Sequence, residues 1–233
     1  MTMFFIRIRF VSLALICFLE LNALSQYSAF RPNEFKKAIL FFNEKKAEFK
    51  RCSSNTGLNL KQAFAIVAPE ISEYSSFNNY LEINTLKVLY VQKGTGYSNF
   101  SVGYFQMKPS FVENLEKTIK NEPLLYSKFK DYLIELKDPK EQRRERVKRL
   151  DNDKWQFKYL RLFLIIVRNR TKNIDFLNEE EQLKYFSTSY NAGFTKSKQD
   201  LLKEMEKERF PNYFEKKFNY STVSLEFYEA LKN

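Results

Sequence analysis

The stretch "NLKQAFAIVAPEISEYSSF", Asn59 to Phe77, decides how the chain is read. Asn59 is a residue type that caps helices, and an apolar run follows it, so a helix is expected to start there. Counting back from Glu70 in helical steps gives Val67, Ile66 and Ala63, all apolar, which puts the Glu70 carboxylate on the core-facing side. A charge there is costly unless something requires it. Pro69, directly before it, lacks an N–H and frees the Ala65 carbonyl, so a local kink is expected to turn the carboxyl out of the core and into a cleft. Desolvation against Ile66 and Val67 disfavours the charged form and raises the pKa of Glu70. Taken alone, such a glutamate can equally pair with a basic residue or mark a helix end.

The rest of the composition narrows what Glu70 can do. A chain of 233 residues suits one domain with extensions, and 5 Gly and 6 Pro among long runs of Lys, Glu, Leu and Phe point to an all-α fold. The 24 Phe and 14 Tyr can line a core or a sugar-binding groove equally well. With 0 His, histidine triads and zinc–histidine sites are excluded, so chemistry rests on carboxylates, Tyr, Lys, Ser or a lone Cys. "MTMFFIRIRFVSLALICFLELNALSQ" supplies Arg7 and Arg9, a short apolar run, and Ala23 and Ser25 at the small positions of a signal-peptidase site. Cleavage after Ser25 and export are expected, with no stable membrane insertion afterwards. That cleavage removes Cys17 and leaves Cys52 without a disulfide partner. The net charge of +11 favours an acidic partner: nucleic acid, an anionic lipid surface or an anionic cell-wall polymer. Nucleic acid does not suit an exported chain.

Helical patterning continues on both sides. "PNEFKKAILFFNEKKAEFKR" reads as one amphipathic helix with Phe35, Ile39 and Phe42 on a face, and "YLEINTLKVLYVQK" as another with Leu81, Leu86, Leu89 and Tyr90 inward. A glycine-marked loop, "KGTGYSNFSVGYFQMKPS", follows. "SFVENLEKTIKNEPLLYSKFKDYLIEL" is helical with an interruption near Pro123, and "KDPKEQRRERVKRLDND" reads as a solvated helix laced with opposite charges. "WQFKYLRLFLIIVRNRT" is expected to be the central core helix. "NEEEQLKYFSTSYNAGF" carries Asn178 and three glutamates as a helix start and Gly193 as its stop. "TKSKQDLLKEMEKERF" reads as a surface helix reaching Pro211, and "FNYSTVSLEFYEAL" closes the domain.

Three segments stand in order: "AIVAPE" at 65–70, "GYFQMKP" at 103–109 and "SYNAG" at 189–193. Together they resemble the lysozyme-like lytic transglycosylases, which carry a helix ending in a catalytic glutamate, a G-L-M-Q-type motif and an A-Y-N-A-G motif. The resemblance covers about residues 60–195. Ile71 stands where the family has serine, Tyr104 and Phe105 replace leucine and methionine, and the interval before Gly103 has room for an extra helix. "FSxGxFQMKPSF" is also similar to a segment of exported bacterial proteins. The resemblance implies a lysozyme-like all-α domain with additional helices, acting on peptidoglycan glycan strands without metal or cofactor. In that family the glutamate protonates the oxygen between N-acetylmuramic acid and N-acetylglucosamine. It then takes the proton of the sugar's 6-hydroxyl, so that an anhydro-sugar forms without water.

By this reading Glu70 is the catalytic acid and base. Gln106 offers an amide to a sugar N-acetyl or hydroxyl group. Tyr190 donates its hydroxyl to the Glu70 carboxyl, and Asn191 supports the cleft wall; the alternatives are a core tyrosine and a helix-terminating asparagine. Gly103 permits close approach of the loop to the sugar. Tyr104, Phe105 and Tyr97 either stack on sugar faces or pack inside. Glu73, one helical turn from Glu70, keeps open a retaining hydrolase with paired carboxylates, although a groove or surface position suits it better. A third reading is a non-catalytic wall-binding or envelope protein on the same fold.

Overall fold

A computed structural model describes residues 26–211 and 213–232; the expected signal segment, residues 1–25, lies outside them. The described chain is mostly helical. In order, it comprises α1 (Gln26–Phe30), α2 (Pro32–Glu44), α3 (Lys46–Ser53), α4 (Leu60–Glu73) and α5 (Ser76–Thr85). A π turn (Leu86–Tyr90) joins α5 to α6 (Val91–Lys93). Then come α7 (Pro109–Asn121), α8 (Pro123–Phe129) with a 3-10 turn (Lys130–Tyr132), α9 (Pro139–Leu150), α10 (Asp153–Arg170), α11 (Glu179–Ala192) and α12 (Lys198–Met205). Two short antiparallel strands, β1 (Glu208–Phe210) and β2 (Phe218–Asn219), lead into α13 (Tyr220–Ala230).

Local chemistry accounts for the helix boundaries. Pro32, Pro109, Pro123 and Pro139 all sit in first turns, where a missing N–H costs nothing and φ is preset. Asn59 caps α4 in a reciprocal box with Gln62, while Asn178 accepts from the Glu181 N–H to start α11. α11 stops at Gly193, at φ 104.

α4 is the helix enclosed on nearly all sides. Residues 62–69 are all buried, and α2, α3, α11 and α13 pack around it. The sequence pointed to α10 for that position, but α10 keeps Lys158, Arg161 and Arg168 at or near its solvent face while burying the other. Aromatic rings fill the space between: Phe49 meets Phe42, Phe64, Phe105 and Phe157 with ring centroids 5.0–6.0 Å apart. Edge-to-face and tilted contacts of this kind are the favoured geometry for packed rings.

Three expected elements differ. The first amphipathic segment breaks at Lys45 into α2 and α3, which lets Phe42 and Phe49 both reach the α4 side. The 76–93 element turns Ile83, Leu86, Tyr90 and Val91 inward but leaves Leu81 and Leu89 exposed. α12 ends at Met205, and the chain then pairs as β1 with β2 instead of remaining helical to Pro211.

The charge-dense α9 is only partly the solvated face its pattern suggests. Glu141 pairs with Arg144, and Glu145 with Arg149, near the surface. Arg146 is buried, with Glu116 at 2.7 Å and the Tyr90 hydroxyl at 2.6 Å. Glu116→Ala removes two charge-assisted bonds but leaves Arg146 with Glu113 at 3.5 Å, so it is expected to cost about 2–3 kcal/mol in urea unfolding. The exposed Glu141→Ala should cost about 0–1 kcal/mol.

Candidate active site

The last turn of α4 forms one wall of a cleft of about 710 Å³. α5 contributes Asn78 and Glu82, the loop before α7 contributes Asn99, Gln106 and Lys108, and the end of α11 contributes Tyr190 and Asn191. The segment from Glu204 to Tyr213 completes the lining. Amides, hydroxyls and charges dominate these walls, which suits a polyhydroxylated ligand better than an apolar one.

Glu70 sits half-buried in this cleft, on a helix that continues a full turn past Pro69 to Glu73. Its pKa is pushed up to about 7, chiefly by burial. The Lys108 ammonium pulls it back, the Glu73 charge pushes it further, and the Tyr220 hydroxyl pulls it back again. Glu70 is therefore protonated in a large share of molecules near neutral pH, as a general acid must be.

The hydroxyl facing Glu70 is that of Tyr220, at the first position of α13, and it donates to the Ile66 carbonyl at 3.0 Å. Tyr190 was expected in that role. It reaches the same cleft and feels the Glu70 charge, but its hydroxyl donates to the Phe105 carbonyl at 2.5 Å. Tyr190 thus ties α11 to the glutamine loop. Burial raises the pKa of both tyrosines, with Glu70 adding to it, so each keeps its proton.

Glu73 is fully engaged. Tyr27 donates to Oε1 at 2.7 Å, Arg31 bonds both oxygens at 3.2 and 3.1 Å, and the Tyr213 hydroxyl donates to Oε2. A carboxylate offers about four lone-pair sites. All are taken, so Glu73 has no lone pair to spare for a sugar carbon or a water. It is a strut joining α1, α4 and the segment after β1.

The glutamine loop is held by three clamps. Val102 and Met107 exchange backbone bonds at 3.0 and 3.1 Å, closing the loop. The Gly103 N–H donates to Asn79 Oδ1 at 2.7 Å. Buried Gln156 from α10 accepts from the Phe105 N–H at 3.0 Å and donates to the Val102 and Leu150 carbonyls. Gly103 has φ 73, and a Cβ there would lie 1.4 Å from Gln156 Nε2. Its close approach is therefore to Gln156 and not, as expected, to a sugar. Gln106 adopts φ 48, uncommon for a residue with a side chain, and its Nε2 donates to the Gly103 carbonyl at 2.8 Å. The amide oxygen is left as the acceptor available to a ligand.

Five sequence-derived residues thus share the cleft: Glu70, Gln106, Tyr190, Asn191 and, as its groove reading expected, Glu73. Tyr104 and Phe105 do not. Tyr104 packs at a tilt against Phe41 and Tyr74, and Phe105 is buried against Phe49 and Phe157, so neither ring lines the cleft. Tyr97 is exposed but outside the cleft lining. Tyr220, Tyr213 and Lys108 were missed. Lys108 lies inside the quoted "GYFQMKP" and was legible as a cation near the acid; the two tyrosines lie in a tail whose contacts with α4 no local pattern announces. Compared with protein-family models, curated proteins and solved structures, the chain matches none.

Proposed function

We propose that the protein is an exported lytic transglycosylase of peptidoglycan, on a lysozyme-like all-α fold, with Glu70 as the acid and then the base. The observation that carries this reading is a half-buried carboxyl with its pKa pushed up to about 7, lining a polar cleft beside a carboxylate with no free lone pair. A retaining hydrolase needs a second carboxylate free to attack the sugar. Glu73 is the close neighbour, and it is occupied. Departure of the leaving group assisted by Glu70, followed by attack of the sugar's own 6-hydroxyl, requires one carboxyl only.

In this mechanism Glu70 donates its proton to the glycosidic oxygen, and the C–O bond breaks with its electrons going to the leaving sugar. The resulting carboxylate removes the 6-hydroxyl proton as that oxygen bonds to the anomeric carbon, which restores the acid. Tyr220 has a single hydroxyl proton, held by the Ile66 carbonyl in the structure. Turning that O–H to Glu70 stabilises the carboxylate between the two steps. Tyr220→Phe is expected to lower kcat by about tenfold while leaving KM near wild type, since the ring's packing survives. A change confined to KM would remove Tyr220 from the proton path.

Product analysis tests the function itself. The purified chain and a Glu70→Gln variant are incubated with peptidoglycan, and the released muropeptides are weighed by mass spectrometry. Anhydro ends from the wild type alone are the expected result. Reducing ends would make the protein a muramidase. Sedimentation with the wall without any release, in both forms, would make it a binding protein.

A further inference from the structure

The element over residues 76–93 is apolar on two faces. Ile83, Leu86, Tyr90 and Val91 are buried against the body of the protein. On the outward side Phe77 is 69% exposed, Tyr80 66% and Val88 63%, with Leu81 and Leu89 beside them. Phe77, Tyr80 and Leu81 follow i, i+3, i+4 spacing and so share one helical face. The π turn, in which the Val91 N–H bonds to the Leu86 carbonyl, keeps Leu86 and Tyr90 inward while Val88 and Leu89 remain outside. A solvated helix face ordinarily carries charge. Here the exposed charges of residues 76–93 are Lys87 and Lys93, and the one acid, Glu82, is half-buried and lines the cleft.

Three occupants can be weighed against that pattern. A second copy laid on the same stripe would bring lysines together, and residues 76–93 offer no exposed acid to neutralise them. Protein interfaces favour aromatic residues and Arg but are poor in Lys. A lipid surface takes Phe, Tyr and Leu into the acyl boundary while flanking lysines reach the phosphates. The net charge of +11 adds a long-range attraction to anionic headgroups. No helix among the described residues is long and apolar enough to cross a membrane, so the contact is peripheral.

We infer that the outward face of residues 76–93 docks on an anionic lipid bilayer as an interfacial helix. Asn78 and Glu82 of the same element line the cleft, so docking holds the cleft beside the membrane surface. This inference does not depend on what the cleft cleaves.

The test uses the full chain with large unilamellar vesicles of phosphatidylglycerol and phosphatidylcholine. A Tyr80→Trp variant reports the face, with wild type (whose one tryptophan is Trp155) as background. The expected result is a blue shift of the new indole and its quenching by bromine-labelled acyl chains, weaker on pure phosphatidylcholine and at high salt. Replacing Phe77, Leu81 and Val88 together by Ser should weaken partitioning on the order of tenfold. A chain that binds vesicles without shift or quenching at position 80 would overturn the inference, as would a triple variant that partitions like wild type. Absence of vesicle binding, or a doubled mass in light scattering with the indole shifted before lipid is added, would also overturn it.

Discussion

Glu70→Gln is expected to abolish glycan cleavage and, at pH 8, to leave the protein more stable than the wild type. The loss of activity follows from removing the cleft carboxyl that burial holds protonated near pH 7; general acid–base catalysis is typically worth about 10²–10⁴-fold. The gain in stability follows from linkage. Glu70 has a folded pKa of about 7 against an ordinary value of 4.5, so the native state holds its proton to higher pH than the unfolded chain. Stability is therefore lost as pH rises from 4.5 through 7, and the loss is constant above that range. Half-burial discounts the amount to roughly 1–3 kcal/mol. A glutamine carries no such charge, so the two proteins should unfold alike near pH 4 and separate by pH 8. In the wild type kcat/KM should fall as pH rises through about 7, because the free enzyme must enter as the acid. Unchanged cleavage by the variant, or a stability difference that does not vary with pH, would contradict this assignment.

The largest structural effect is expected at Gly103. An alanine there places its Cβ 1.4 Å from Gln156 Nε2, and Gln156 has little room to yield, since it is buried and bonded to Phe105, Val102 and Leu150. Backbone at φ 73 adds its own strain. Overpacking and the loss of buried hydrogen bonds together predict destabilisation by about 3 kcal/mol or more, with displacement of the loop that carries Gln106. Gly94 provides the control. Its φ of 83 and ψ of −174 strain any side chain, but nothing lies within 4 Å of a Cβ there, so Gly94→Ala should cost strain alone, about 1–3 kcal/mol in the same urea titration, and leave the Gln106 loop in place. Equal losses at the two positions would mean that strain, and not the Gln156 contact, accounts for both.

Much of the helical framework follows from local pattern. Asn59 and Asn178 cap their helices because a side-chain oxygen satisfies an otherwise unpaired N–H, and prolines open four others because their geometry suits a first turn. Glu70 was legible for a similar reason: a carboxylate at helical spacing from Ile66 and Val67 contradicts its surroundings. Gln106 and Asn191 were named because "GYFQMKP" and "SYNAG" resemble motifs of the lytic transglycosylases, and both residues line the cleft.

The roles of the tyrosines were not legible. Tyr190 and Tyr220 are both buried hydroxyls that need acceptors, and sequence spacing does not say which carbonyl or carboxyl each will meet. The packing of α13 and α11 on α4 decides it, sending Tyr190 to Phe105 and Tyr220 to Ile66 beside Glu70. The same holds for Tyr104 and Phe105, whose inward direction depends on Gln156, 51 residues away from Phe105 in the chain. Glu73 shows the division most clearly. By itself the sequence determined that a second carboxylate lies one turn from Glu70, because helical periodicity is local. Only the tertiary structure decided that it is spent on Tyr27, Arg31 and Tyr213, because its partners come from distant segments that meet only when the core closes.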